Sequence, residues 1–344
     1  MLRVSKDKVF VIYKNTVQIY SSELEKVGHV VCEGNVSGVV ELANKHYVTV
    51  GDDKKINVFD EGFRKIREIM LTKKLTSIIA DENVFLVSDK FGDVFKFTEE
   101  DIPKVEEQKD EKKEKENKEC ATKNIVITHF SVINEISFTK KKNAIVSCDR
   151  DEKVRVTRYP RTDIIQSFCY GFVELVTSAK TEEIDGRGVV VCGGCDGKVL
   201  FFWVDNGEEI GRLQFEPSNV VIVYDALVVN KSIQCLVGIE GEALYLVKAT
   251  YNANSGKLEN VEKNDIFGKV KGAQRYKDDT LVYTDKDELV LVQAKKSIPI
   301  SGEGSSAELK NDGVNFKEQR KVIEPAKRFV GIEEDDGKRE KKSE

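Results

Sequence analysis

The residue types that carry out chemistry are few in this chain, and their spacing does not assemble a reaction centre. Three histidines occur, His29, His46 and His129. His46 opens an alternating apolar run, and each of the three reads as a structural residue. Cys192 and Cys195 form a C-x-x-C pair. A four-ligand zinc site would need a second Cys or Cys/His pair, and none accompanies it. The plainer reading is a strand end running into a tight turn. Gly193, Gly194 and Gly197 would suit a phosphate cradle only if a helix N-terminus followed them, and the residues after them read as a strand. No nucleophile elbow is present, and no glycine-rich βαβ unit that could hold a nucleotide or a methyl donor. The densest polar cluster is instead Asp149, Arg150, Asp151, Glu152, Lys153 and Arg155, six charges in seven positions. It sits in the middle of Ala144–Arg158, which reads as strand, tight turn and second alternating strand. A hairpin needs a turn, but the turn does not need six charges.

Composition narrows the setting. The 344 residues are 40% hydrophobic and 33% charged, with a formal net charge of −5. An acidic balance argues against a chain that holds nucleic acid alone, because neutralising a phosphate backbone takes a dense cationic surface. No apolar run approaches the roughly 20 residues of a membrane span. Arg3, Lys6, Asp7 and Lys8 in the first ten residues are unlike a signal peptide. Seven scattered cysteines fit a reducing compartment better than a disulfide framework. The expected location is nuclear, with cytoplasmic residence the other possibility.

The charged hairpin has counterparts along the chain. Its second strand resembles runs beginning at Thr16, Lys55, Asp93, Lys198, Ala243 and Glu288. Val17, Ile56, Val94, Val154, Val199, Leu244 and Leu289 recur at steps of 39, 38, 60, 45, 45 and 45 residues. Removing the 22 residues of a charged tract, 99–120, brings the long step to 38. An apolar run precedes each member, and Asn, Asp, Gly or Lys fill the gap, as hairpin turns require. Period-two alternation and Val enrichment favour strands over helices. Seven such units match the blade period of a WD-repeat β-propeller. The expected fold is therefore all-β, a seven-bladed propeller over residues 1–296. Its repeats are degenerate, since Trp203 is the single tryptophan, and Thr157 stands where the repeat's tryptophan would fall in the fourth unit. His129 sits where such repeats often begin with Gly-His. A strand from the N-terminal segment is expected to complete the last blade, because a ring must protect its edges.

Two segments fall outside the ring. Glu99–Glu119 holds ten acidic residues, six lysines and one proline, and reads as a solvated, disordered insertion. Residues 297–344 read as a polar tail with a short amphipathic helix at Val314–Val330 and a weakly basic end at Lys338–Lys342, a candidate import signal. A propeller that lacks catalytic residues is a platform, with function on its faces and loops. The Asp of such a turn and the basic residue on its strand, here Asp151 and Arg155, can serve the blade itself. That plain reading leaves Arg150, Glu152 and Lys153 unexplained. Lys90, in the preceding unit's turn, would lie beside them. Mixed charge on one face favours a charge-complementary protein partner.

Four stretches in order, SDKFGDVFKF (Ser88–Phe97), SCDRDEKVRV (Ser147–Val156), IIQSFCYGFVELVTS (Ile164–Ser178) and GGCDGKVLFFW (Gly193–Trp203), resemble the WD-repeat, non-catalytic subunit of the eukaryotic tRNA (guanine-N7)-methyltransferase. The resemblance covers about Asn83–Trp203, and the flanking units share only the repeat pattern. It implies a chain with no catalytic, cofactor or metal residues of its own. As a heterodimer it would bind and stabilise a catalytic subunit that carries S-adenosylmethionine and forms 7-methylguanosine in the tRNA variable loop, meeting tRNA only through the complex. Docking residues carried over from the motif are Lys90, Arg150, Asp151, Glu152, Lys153 and Arg155. Charge reversal at Arg155 is expected to leave the propeller folded and abolish copurification with that subunit. Phe172 departs from the family's His after Gly171. The competing class is a general WD-repeat scaffold or adaptor, for example in ribosome assembly or a ubiquitin ligase, with basic or aromatic hot spots on its top face.

Overall fold

A computed structural model describes residues 1–5, 7–105, 124–277 and 279–299. Among them, twenty-eight strands form seven four-stranded sheets, each built from four consecutive strands. The two middle strands of every sheet are the hairpins read from the sequence. In blade 4 they are Ala144–Asp149 and Val154–Arg158, in register from Ala144 opposite Arg158 to Cys148 opposite Val154. In blade 5 they are Arg187–Gly194 and Lys198–Trp203. These strands bury almost every residue, because blades pack on both of their faces. Alternation is therefore weak in them, and the outermost strands, such as Glu209–Gln214, are instead largely exposed or half-buried.

Among the described residues the core is a ring of clusters, one at each of the seven blade seams, with a small further one of Leu175, Cys195 and Val220, rather than one centre. Val154, Val156 and Cys169 of blade 4 pack against Val190, Leu200 and Phe202 of blade 5. Leu86, Val94 and Ile127 of blade 3 meet Ile133, Ile136 and Ile145 of blade 4. At about 25 cal/mol per Å² of apolar surface removed from water, burial on both faces makes each blade depend on its neighbours.

Ring closure differs from the expectation. The N-terminal strand Leu2–Val4 pairs with Lys8–Tyr13 in blade 1, and blade 7 supplies all four of its own strands, ending with Lys296–Pro299. Among the described residues no strand is exchanged between blades. Closure rests on packing of Leu2, Val9 and Val11 against Tyr276, Leu281 and Tyr283. It is reinforced by the Val4 amide donating to Gln274 Oε1 at 2.7 Å, the Tyr276 hydroxyl donating to the Ser22 carbonyl, and a Lys277–Glu23 pair at 3.0 Å. With four strands available locally, a borrowed one is unnecessary. The last strand also carries the propeller past residue 296.

The start of the charged insertion belongs to the fold as well. Glu99–Asp101 make a 3-10 turn, and Ile102 is fully buried. The Arg67 guanidinium donates to the Ile102 carbonyl at 2.7 Å. Glu99 accepts from His46 Nδ1 and Asn44 Nδ2, both at 2.8 Å, and pairs with Arg67 at 3.3 Å. Burial alone would push the Glu99 carboxyl up, but these hydrogen bonds and the His46 and Arg67 charges hold it below its ordinary value. Residues 106–119 of the insertion, the helix expected at Val314–Val330 and the basic end of the tail lie outside the described residues.

Candidate functional site

The hairpin turns of blades 3, 4 and 5 each hold a buried aspartate, Asp89, Asp149 and Asp196, and in blade 4 the turn is organised by Asp149. It is 2% exposed. Its Oδ1 accepts the backbone amides of Asp151 at 2.9 Å and Lys153 at 3.1 Å. On the other side His129 Nδ1 lies 2.9 Å from Asp149 Oδ2, and His129 Nε2 lies 2.8 Å from Ser147 Oγ. The order Ser, His, Asp imitates a hydrolytic triad, but Ser147 is fully buried and His129 nearly so, so no substrate reaches the hydroxyl. Paired in this way, the three groups tie a connector to a turn. The sequence reading gave the blade's aspartate as Asp151. Asp151 is exposed instead, because a two-residue offset from the strand end is what lets a side-chain oxygen reach the turn amides.

The turn in blade 3 is built alike. Asp89 Oδ1 accepts the amides of Phe91 at 2.8 Å and Asp93 at 3.0 Å, and burial pushes its carboxyl above the usual range despite them. Gly92 has φ +96°, and a Cβ there would lie 2.5 Å from the His129 carbonyl and 2.6 Å from that of Ser131. Only glycine fits this approach.

The connector Thr128–Val132 joins the two turns. The His129 amide donates to the Gly92 carbonyl at 2.8 Å, and Thr128 Oγ1 donates to Asp93 at 2.8 Å. Toward blade 4, Ser131 Oγ donates to Asp151 at 2.8 Å, and the Arg150 amide donates to the Val132 carbonyl at 2.9 Å. Lys90 is thereby brought onto the same face as the blade 4 charges. Asp151 and Glu152 are exposed, Arg150 and Lys153 partly so. Glu152 holds φ +69°, a left-handed conformation that closes the turn.

Arg155 stands apart from the other five. It lies on the strand, half-buried, where its guanidinium donates to the Thr128 carbonyl and to Thr157 Oγ1, both at 3.0 Å, and burial lowers its pKa from the ordinary value. It buttresses the connector more than it faces outward. The sequence reading did not include the apolar members of this end. Phe130 is wholly exposed, and Phe91, Tyr170 and Val173 are each more than 60% exposed. Lys73 Nζ sits 3.8 Å from the Phe91 ring centre. Their signal was available as aromatic residues in turns and connectors, where no blade face could bury them.

Blade 5 accounts for the C-x-x-C glycines. Phe172 occupies the position of His129 and is buried. A Cβ at Gly194 would come 2.5 Å from the Phe172 ring, and one at Gly193 2.6 Å from the Val221 carbonyl. The glycines make room for close packing. Cys192 and Cys195 are buried free thiols, and burial drives the Cys192 pKa well above its ordinary value.

Fold and site together define a degenerate WD-repeat propeller that presents a charged and aromatic end. Residues 97–243 match the family described as the tRNA methyltransferase TRM82 WD40 domain. The chain is 33% identical over 229 residues to the Dictyostelium discoideum protein named tRNA (guanine-N(7)-)-methyltransferase non-catalytic subunit wdr4, covering 62% of this chain and 48% of that one. It is 28% identical over 193 residues to the Lodderomyces elongisporus non-catalytic subunit TRM82 (52% and 46%), and 25% identical over 173 residues to the Xenopus laevis wdr4 subunit (49% and 39%). The chain thus spans about half or less of the length of these curated relatives. A crystal structure of the computationally designed Ika8 protein superposes with a TM-score of 0.55 at 11% identity, over 90% of this chain and 87% of that one, a likeness of fold alone. These matches bear out the resemblance read from Asn83–Trp203.

Proposed function

We propose that this chain is a non-catalytic WD-repeat subunit that binds and stabilises the catalytic subunit of a tRNA (guanine-N7)-methyltransferase, as a heterodimer. The observation that carries the reading is the TRM82-type domain match over residues 97–243, which contains the blade 4 turn and its connector. A turn locked by Asp149 and His129 holds Arg150, Asp151, Glu152 and Lys153 in fixed positions, and fixed charges cost less to order when a partner arrives. By binding only the productive shape of the catalytic subunit, the propeller would raise the population of that shape by linkage. S-adenosylmethionine would sit in the partner. This chain's described sheets are antiparallel meanders, and Gly193, Gly194 and Gly197 are followed by a strand rather than a helix N-terminus.

Arg155 has a positioning role in this proposal, holding Thr128 and so the connector, while Lys90 and Arg150–Lys153 make the contacts. Charge reversal at Arg155 would perturb folding and docking together. The cleaner experiment is coexpression of Arg150→Glu with the catalytic subunit, followed by copurification and assay of 7-methylguanosine in tRNA. Breaking a desolvated charge contact costs about 2–5 kcal/mol, so copurification should fail while the propeller stays folded. Unimpaired copurification and methylation would show the docking assignment to be wrong. Given the net charge of −5, the isolated chain should bind tRNA weakly at physiological salt. A nuclear site of action belongs to the same proposal, and imaging of the tagged chain with and without residues 338–342 tests it.

A further inference from the structure

Among the described residues, the locked turns of blades 3 and 4 leave one aromatic ring uncovered. Phe130 has a relative exposure of 104%, although both its neighbours are fixed. The His129 ring is buried against Asp149 and Ser147, and Ser131 is bonded to Asp151. The backbone on either side is held by Gly92 and Arg150, and Gly92 abuts the carbonyls of both neighbours. The connector has no freedom to turn the ring inward. Phe91 stands beside Gly92 in the adjoining turn. Val173 lies in the corresponding connector between blades 4 and 5, where its amide donates to Asp196 at 3.0 Å. Tyr170, in that same connector, stacks on Phe168 at 5.8 Å, and Phe168 pairs in register with Arg155.

An exposed aromatic on a rigid backbone loses little entropy on binding and carries a large contact area. Anchors of this kind, rimmed by polar groups, dominate protein–protein affinity. A base-stacking role would call for a cationic groove alongside, whereas the two turns bonded to this connector carry Asp93, Asp151 and Glu152 together with Lys90, Arg150 and Lys153. With three charges of each sign, the mixed rim complements a protein surface and lacks the net positive charge that would hold a phosphate backbone.

We propose that Phe130 is the anchor of the docking face: it enters an apolar pocket on the catalytic methyltransferase subunit, flanked by Phe91 and Val173, while Arg150, Asp151 and Glu152 set its orientation. This rests on the function proposed above. The experiment measures Kd between the full chain and the catalytic tRNA (guanine-N7)-methyltransferase subunit of the same organism, for wild type, Phe130→Ala, Phe130→Trp, Arg150→Glu and the remote control Val229→Ala, with unfolding midpoints recorded in parallel. Phe130→Ala should raise Kd about thirty-fold, chiefly through faster dissociation, at an unchanged midpoint. Phe130→Trp should bind within a few-fold of wild type, and Val229→Ala should bind like wild type. If Phe130→Ala binds as wild type does while Arg150→Glu fails, the anchor is wrong and the proposed function stands. If the wild-type chain does not bind the subunit, both fall. If Phe130→Ala instead dissociates a homodimer, or weakens tRNA binding by the isolated chain with subunit binding intact, a second copy or a nucleic acid is the occupant and the proposal is overturned.

Discussion

In blade 4 the buried aspartate of the hairpin turn, Asp149, is met by the His129 imidazole; in blade 5 its counterpart, Asp196, is met by Lys198 Nζ at 2.8 Å and by the Val173 amide at 3.0 Å. The same structural need is thus served once by a ring from the connector and once by a charge from the adjoining strand. Lys198 also donates to the Gly171 carbonyl at 2.9 Å, so its cation is used within the blade. With His129 filling that role in blade 4, the charges of Arg150–Lys153 are left at the surface. A charged residue in a propeller turn is therefore informative about partners only after the turn's own aspartate has been paired.

The strongest test of this difference removes the paired group. Asp149→Ala would leave the amides of Asp151 and Lys153 and the His129 ring without their acceptor. At about 1–3 kcal/mol for a buried unsatisfied group, it should lower stability by roughly 3 kcal/mol in urea unfolding. A loss below about 1 kcal/mol would mean the turn is not held by this residue. Gly92→Ala should follow at about 2 kcal/mol, from a left-handed φ and a clash with backbone that cannot retreat. It should also weaken binding of the methyltransferase subunit by moving the blade 3 turn away from the connector, and intact binding at reduced stability would uncouple the two turns.

In blade 5 the comparable strain lies with a side chain. Gly194→Ala presses on the Phe172 ring, which can shift, so the cost should be nearer 1 kcal/mol with no effect on docking. Glu152→Lys should change stability by less than about 0.5 kcal/mol and still impair copurification, separating surface charge from turn architecture. The smallest effect concerns Glu99, at the far end of the Asp93–Thr98 strand. Its pKa is lowered in the folded state, so its contribution is present above the unfolded value of about 4.3 and fades as pH falls through the lower folded one. Unfolding midpoints of wild type and Glu99→Gln should converge below that range, and a constant gap down to pH 2 would refute the assignment.

Legibility followed the kind of signal each element carries. The middle hairpins could be read because Val-rich runs bounded by Asp and Gly recur at near-constant spacing, and all seven are present in the fold. The first and fourth strands of the blades were not read. Outer strands such as Lys257–Phe267 are mostly exposed and highly charged, and innermost ones such as Leu2–Val4 are too short for periodicity. Glu99–Asp101 and Ile102 read as insertion on composition, yet Ile102 is buried by a neighbouring blade, a contact that local sequence does not encode.

By itself, then, the sequence determined the repeat, the seven hairpins, the poverty of catalytic residues and the charged turn of blade 4, because each is a matter of residue type and short-range spacing. Only the tertiary structure decided that Asp149 rather than Asp151 holds that turn, that Arg155 is committed to Thr128, and that the ring closes without exchanging a strand. It also decided that Phe130 stands uncovered among the charges. These depend on which groups from separate blades come within hydrogen-bond or packing distance, and His129, twenty residues before Asp149, meets it only when blade 3 hands the chain to blade 4.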